Sequence, residues 1–187
     1  LDSLGESDPV FMYLHTIHPH NPYDPPDHLQ QRFVGNLDST IKATSRDLLD
    51  IKHNRLEVTE TDQQRIAGLY AGALAYNDAQ IALLIDELTE RFPREEILVI
   101  ITSDHGEELF DHDGVLHGYT LYREQLQIPL ILWWPGQLEP QQIDIGTHNL
   151  DLHESLRALV GADPSQTPEG RPLWNLIGGP APLRPFH

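Results

Sequence analysis

The chain has 187 residues, a formal charge of −17 and no cysteine, with a sequence pI near 4.8. The acidic balance argues against electrostatic binding to nucleic acid or to anionic membranes, and the lack of cysteine excludes a disulfide framework, a thiolate metal site and a cysteine nucleophile while leaving the redox compartment open. No run of about 18 apolar residues and no charged-then-apolar leader is present, so no membrane segment is expected and no compartment is assigned. The length suits one domain or part of a larger one, and a start at Leu1 without methionine is what a fragment or processed product has.

Residues 1–8 read as a polar connector, and Val10 to Leu14 as a short buried strand. The strand gives way to His15-Thr16-Ile17-His18-Pro19-His20-Asn21-Pro22-Tyr23-Asp24-Pro25-Pro26, where the prolines stiffen the loop and forbid a helix through it. Its closely spaced histidines are also what an adventitious metal-binding tract would carry. From Asp27 to Glu60 the sequence predicts a short helix near Pro26 to Val34 and otherwise an irregular surface excursion. Thr59 to Phe92 is the clearest helix. Thr59 or Thr61 suits the N-cap, Asp62 sits in the first turn, and Ile66, Leu69, Tyr70, Ala73, Tyr76, Asn77, Gln80, Ile81, Leu84, Ile85 and Leu88 recur at three- and four-residue steps. Gly68, Gly72 and the neighbouring alanines narrow one section, so that another backbone can approach closely; Pro93 ends the element.

The apolar, β-branched run Ile97 to Ile101 predicts a strand buried on both faces. It stops at Thr102-Ser103-Asp104-His105-Gly106-Glu107-Glu108, and polar groups at the C-terminal end of such a strand are where open α/β sheets place ligands. Adjacent carboxylate and imidazole groups can reach one divalent cation if the backbone turns, and Gly106 permits a turn needing positive φ. The mixed oxygen and nitrogen donors of Asp104 and His105 fit Zn²⁺ or Mn²⁺ readily and Ca²⁺ less typically. The plainer alternative is that Asp104 caps a helix and His105 is a satisfied surface histidine. Against it stand His112, Asp113 and His117 in the same loop, and Glu107, Glu108, Asp111 and Asp113, which repel one another unless solvated or neutralised. A second strand is expected over Ile128 to Trp134, then a turn at Pro135-Gly136, an extended return over Asp144 to His148, and a helix over Asn149 to Val160 closed by Gly161. Residues 162–187 are rich in proline and glycine, and about 180–187 are expected to be a poorly ordered tail. Alternating strands and helices predict an α/β fold: a three-layer α/β/α fragment with a largely parallel, mixed sheet.

The ordered set Thr102-Ser103-Asp104-His105-Gly106-Glu107, His117-Gly118, Leu121-Tyr122-Arg123-Glu124 and Ile128-Pro129-Leu130-Ile131 resembles the C-terminal metal-site segment of the sulfatases, within the alkaline phosphatase superfamily. The stretch from Phe11 to Pro26 resembles that family's F-x-Y-L-H-x-x-D-P-H-x-P-Y-x-P-P pattern, with His18 where an aspartate is usual. Tyr70 to Asp78 is similar to its Y-x-G-x-I-x-Y-x-D helix, with Tyr76 and Asp78 read as structural, and His15 is read as a buried structural histidine. Asp151-Leu152 and Gly170-Arg171-Pro172-Leu173 match later segments, with Asp151 read as a helix-start or sheet-edge contact.

The resemblance implies an alkaline-phosphatase-like fold, incomplete here, with residues 1–187 forming the C-terminal portion of a sulfatase-like catalytic domain. It implies hydrolysis of sulfate esters of small molecules or sugars. Asp104 and His105 become metal ligands, with Ca²⁺ the ion the family suggests and Mn²⁺ or Zn²⁺ the others. His20 contacts the leaving-group oxygen, His117 binds the sulfate oxygens and the nucleophile, and His18 contacts substrate. The family's C/S-x-P-x-R nucleophile pattern does not occur in the sequence, so the chain by itself is expected to be inactive and to need the missing N-terminal half of the same chain. That half, or a homodimer, would cover the apolar faces an incomplete domain exposes. Two other classes compete: a phosphodiester or phosphonate hydrolase or phosphoethanolamine-type transferase of the same superfamily, and a non-enzymatic interaction domain.

Overall fold

A computed structural model describes residues 9–162 and 170–177; the connector expected over 1–8 and the tail expected at about 180–187 lie outside them. The chain divides into two compact units: one holds residues up to 83 with the insertion 108–116, and the other holds 84–107 with the residues from 117 onward.

The first unit contains helices α1 (Asp27–Phe33), α2 (Ser45–Lys52) and the N-terminal part of α3 (Glu60–Arg91), with a small hairpin of β2 (Glu108–Leu109) and β3 (Val115–Leu116). Helix α3 starts where the sequence indicates. Thr59 Oγ1 accepts from the Asp62 backbone N–H at 3.2 Å, and the Thr59 N–H donates back to Asp62 Oδ2 at 2.8 Å, a reciprocal capping box. Thr44 and Asp47 build the same box at the head of α2. That helix overturns the irregular excursion expected over this stretch; its signals were Thr44-x-x-Asp47 and the buried Leu48 and Ile51 behind it. The core joins Tyr23, Val34, Ala43, Leu48, Ile51, Ile66, Leu69, Val115 and Leu116. The narrow section of α3 is used as expected: a Cβ on Gly68 would stand 2.8 Å from the Phe33 carbonyl oxygen, and one on Gly72 would stand 2.9 Å from Pro25 Cγ.

Val10 to Leu14 does not form the expected strand. It has no ladder partner among the described residues, and Phe11 and Tyr13 are both 76% exposed. Apolar content alone does not make a strand, because the backbone needs a neighbour to receive its hydrogen bonds.

In the second unit β1 (Val99–Thr102) pairs with β4 (Leu130–Trp133) in the register Val99↔Trp133 to Thr102↔Leu130. The pairing is antiparallel, and so is β2 with β3; among the described residues the sheet is therefore not the largely parallel one expected. The segment between β1 and β4 holds only the hairpin and the short helix α4 (Arg123–Leu126), not the covering crossover helix that joins parallel neighbours. Strand β1 is correspondingly half-buried rather than buried on both faces. Asp144 to His148 forms no strand. Helix α5 (Asn149–Leu159) is followed by Gly161 at φ +68°, the left-handed residue expected past its end. The core of this unit is Trp134, Leu159 and Trp174, with Leu98, Leu132, Leu138, Ala158 and Ile177 against them. The Trp134 indole N–H donates to the Glu95 carbonyl at 2.9 Å, so its polar edge is satisfied inside the core.

Asp151, fully buried at the start of α5, accepts from the Arg171 backbone N–H at 2.7 Å and the His148 N–H at 3.0 Å. The expected helix-start contact is present, and it also docks Gly170–Leu173, since the Leu173 N–H donates to Ser155 Oγ at 2.7 Å.

Candidate functional site

Strand β1 ends at Thr102, whose hydroxyl donates to the Pro129 carbonyl at 2.9 Å and fixes the strand end. The next residues make a tight polar turn. Ser103 Oγ donates to the His105 carbonyl at 2.6 Å, and the His105 N–H donates to Asp104 Oδ1 at 3.1 Å. Asp104 is exposed and His105 half-buried, with Asp104 Oδ1 and His105 Nε2 separated by 3.6 Å. His105 Nδ1 lies 2.8 Å from the Gly106 carbonyl, so that nitrogen carries the proton and Nε2 is the one presented beside the carboxylate.

Gly106 is needed for a reason other than the one expected. Its φ is not positive; instead its N–H donates to the Gln125 carbonyl at 2.8 Å, and any Cβ would run into the Glu124 carbonyl oxygen. The Glu107 N–H continues the ladder to Glu124 O at 3.0 Å. Between β1 and β4 the glycine that adopts φ > 0 is Gly118, at +80°. Its N–H donates to Oε1 of the buried Gln125 at 3.0 Å, and Gln125 Nε2 donates to Thr120 Oγ1 at 2.6 Å.

His117 is thereby brought onto His105. The two imidazoles stack with centroids 3.7 Å apart and planes 24° from parallel. His117 Nδ1 lies 3.1 and 3.3 Å from the two oxygens of Glu107, whose side chain is only 5% exposed. Asp104, His105 and His117 are thus collected in one place. The sequence offers Glu107 only as one of the loop's mutually repelling carboxylates, and gives no sign of Gln125 and Asn149; Asn149 Nδ2 donates to the Ser103 carbonyl at 3.3 Å.

Two ligands each about 2.1 Å from one ion stand roughly 3.0–3.5 Å apart in tetrahedral or octahedral geometry. The Asp104–His105 separation of 3.6 Å is compatible with a shared divalent cation after a small side-chain adjustment.

The other predicted residues lie in the first unit. His20 is exposed, its N–H donating to the Ile17 carbonyl at 2.8 Å and its Nδ1 lying 2.9 Å from the Asn21 carbonyl. His18 is half-buried and meets Tyr76 edge-on at 5.3 Å, and its Nδ1 is buried with no hydrogen-bond partner among the described residues. His15 is not buried. It is exposed, with Nδ1 3.3 Å from the Tyr13 hydroxyl, because the strand that would have covered it does not form.

Comparison with known proteins bears on what these groups do. The profile of the family described as Sulfatase matches residues 2–162. The choline-sulfatase of Rhizobium meliloti is 28% identical over 156 residues, 77% of this chain and 30% of its own length. The solved structure of the phosphonate monoester hydrolase SpPMH from Silicibacter pomeroyi is similar with a TM-score of 0.62 and 28% identity, over 70% of this chain and 26% of that one. The yidJ protein of Bacteroides fragilis, described as a sulfatase, shares the fold with a TM-score of 0.64 at 24% identity, over 86% of this chain and 34% of its own. The chain thus spans about a third or less of the proteins it matches, and its neighbours have sulfatase or alkaline-phosphatase-like folds.

Proposed function

The chain belongs to the sulfatase family, and from that premise we propose that it supplies metal ligands and histidines to a metal-dependent hydrolase of sulfate esters, its substrate a small-molecule or sugar sulfate. In this reading Asp104 and His105 hold the cation, His117 faces the reacting sulfuryl group, and His20 serves the leaving-group oxygen. His18 is a further substrate contact, supported by a buried Nδ1 that has no hydrogen-bond partner among the described residues. The family is generally dependent on a divalent metal; Ca²⁺ follows from the resemblance, whereas a mixed carboxylate and imidazole pair equally suits Mn²⁺ or Zn²⁺. Once bound, the ion supplies Lewis-acid polarisation of the sulfuryl oxygens. The protein's own part is to hold the donors in place and to move protons through histidine near neutral pH.

The observation that carries this reading is the Asp104–His105 pair, 3.6 Å apart at the end of a strand, with His117 stacked on its imidazole. Isothermal titration of the chain with Ca²⁺, Mn²⁺ and Zn²⁺ tests it. Asp104→Ala and His105→Ala should each weaken the preferred ion by at least about tenfold, and identical isotherms for wild type and both variants would sink the assignment. No C/S-x-P-x-R pattern is present in the 187 residues, so the reading assigns the nucleophile to a preceding portion and expects no turnover of an aryl sulfate by this chain alone.

A second reading, hydrolysis of phosphonate monoesters or phosphodiesters, is favoured by the 28% likeness to SpPMH. His20, Asp104, His105 and His117 would serve it in the same places. The nucleophile of the full-length protein, read by peptide mass mapping, separates the two: a formylglycine supports the first, and an unmodified Thr or Ser the second.

A further inference from the structure

Glu107 is the buried carboxyl group at this site that no role above uses. Its carboxylate, 5% exposed, lies 3.1 and 3.3 Å from His117 Nδ1 through its two oxygens. Both partners are pinned by the backbone. The Glu107 N–H donates to Glu124 O at 3.0 Å, and Gly118, next to His117, donates to Gln125 Oε1 at 3.0 Å. The opposite constraint on the His117 ring is His105, stacked at 3.7 Å. An ionised carboxylate is an acceptor only, so the nitrogen it meets must carry the hydrogen. A proton on Nδ1 leaves Nε2 of the neutral ring with its lone pair directed away from the carboxylate.

We propose that Glu107 is a positioning residue that locks His117 in the Nδ1–H tautomer, so that His117 meets substrate through Nε2 as a hydrogen-bond or proton acceptor and not as a neutral donor to a sulfuryl oxygen. This rests on the reading of His117 as a residue facing the reacting group, and it narrows that reading: with the hydrogen on Nδ1, Nε2 is the nitrogen that accepts from a hydroxyl. A buried carboxylate with two oxygens on one ring nitrogen is a stiffer constraint than a carbonyl or a water in the same place. Tilting His117 would also disturb the stack on His105.

The test reads the tautomer, not catalysis. Nitrogen-15 NMR of the metal-free 187-residue chain, labelled at histidine and held in mildly alkaline buffer, places each ring nitrogen of His117 in the protonated, pyrrole-like range or the bare, pyridine-like range. The His117→Gln spectrum identifies the signals. The expected result is a protonated Nδ1 and a bare Nε2 in the wild type, exchanging places in Glu107→Ala while the circular dichroism spectrum is unchanged. Should Glu107→Ala fail to fold, Glu107→Met fills similar volume without an acceptor and gives the same comparison. A wild-type His117 protonated on Nε2 overturns the proposal, as does an Nδ1–H tautomer that survives in the folded variant. Neither outcome depends on metal or substrate, so failure here is distinct from failure of the sulfatase reading, which the metal titration decides.

Discussion

At the scale of single residues the site is shaped by contacts that sequence spacing does not announce. The adjacency of Asp104 and His105 suggests a donor pair, and the structure sets Asp104 Oδ1 and His105 Nε2 3.6 Å apart. Gly106 is different: dihedral freedom is the usual reason for a glycine beside a ligand pair, yet here the Glu124 carbonyl occupies the space a side chain would fill. Gly106→Ala should therefore force the strand end and α4 apart and lower stability by about 3 kcal/mol, the upper end of ordinary overpacking. Metal affinity should fall with it, and denaturant unfolding together with ion titration checks both. A near-neutral Ala variant would show that the two backbones separate easily. His15 and His117 show the same limit from two sides. Residue type and position near an apolar run suggested that His15 is buried, but burial is a property of what packs over it, and nothing among the described residues does. The Glu107–His117 pair, separated by ten residues in sequence, flanks the paired residues Glu108 and Leu116. Only the antiparallel register makes them neighbours.

At the scale of elements, periodicity and capping chemistry were readable and strand pairing was not. Helix α3 carries its own start signal and a long apolar stripe, so local propensity and burial agree. Removing the cap has a definite expected cost: Thr59→Ala should destabilise the chain by about 1 kcal/mol, read as a lower denaturation midpoint at constant slope. An effect within error would mean that Asp62, which also accepts from Ser39 Oγ at 2.6 Å, holds the helix start unaided. Helix α2 was missed although it has the same Thr-x-x-Asp box. It is short, and an eight-residue helix leaves too few turns for a periodic stripe to stand out. The strands failed in the other direction. Ile97 to Ile101 and Ile128 to Trp134 were recognised as strands, but nothing in an apolar run states the direction or identity of its partner. Val10 to Leu14, also an apolar run, pairs with none of the described residues.

At the scale of the whole molecule, two buried or bonded carboxylates tie stability to pH. Ser39 and Thr59 hydrogen bonds hold Asp62 below the ordinary carboxylate range. For Asp151, burial pushes the carboxyl up, but the Arg171 and His148 backbone N–H groups and the nearby positive charges outweigh it and the net shift is downward. A carboxylate depressed in the folded state contributes stability that is complete above its unfolded pKa and is lost as the pH falls through the folded value. The chain should therefore hold its thermal midpoint down to about pH 4, the ordinary carboxylate value, and lose it progressively below that. Asp62→Asn should flatten this acid limb and lower the midpoint at neutral pH; an acid limb unchanged by the substitution would remove Asp62 from the account. What the sequence determined alone was whatever is encoded in consecutive residues: the acidic, cysteine-free character, the long capped helix, the adjacency of Asp104 and His105 and the ordered motifs of its family. What the tertiary structure decided was everything that depends on residues distant along the chain meeting: the antiparallel sheet, the exposure of Val10 to Leu14 and His15, the packing role of Gly106, and the Glu107–His117–His105 arrangement. The physical reason is that a local motif fixes donors and dihedrals within a few residues, whereas burial, register and a histidine's tautomer are fixed by the partner that arrives from elsewhere.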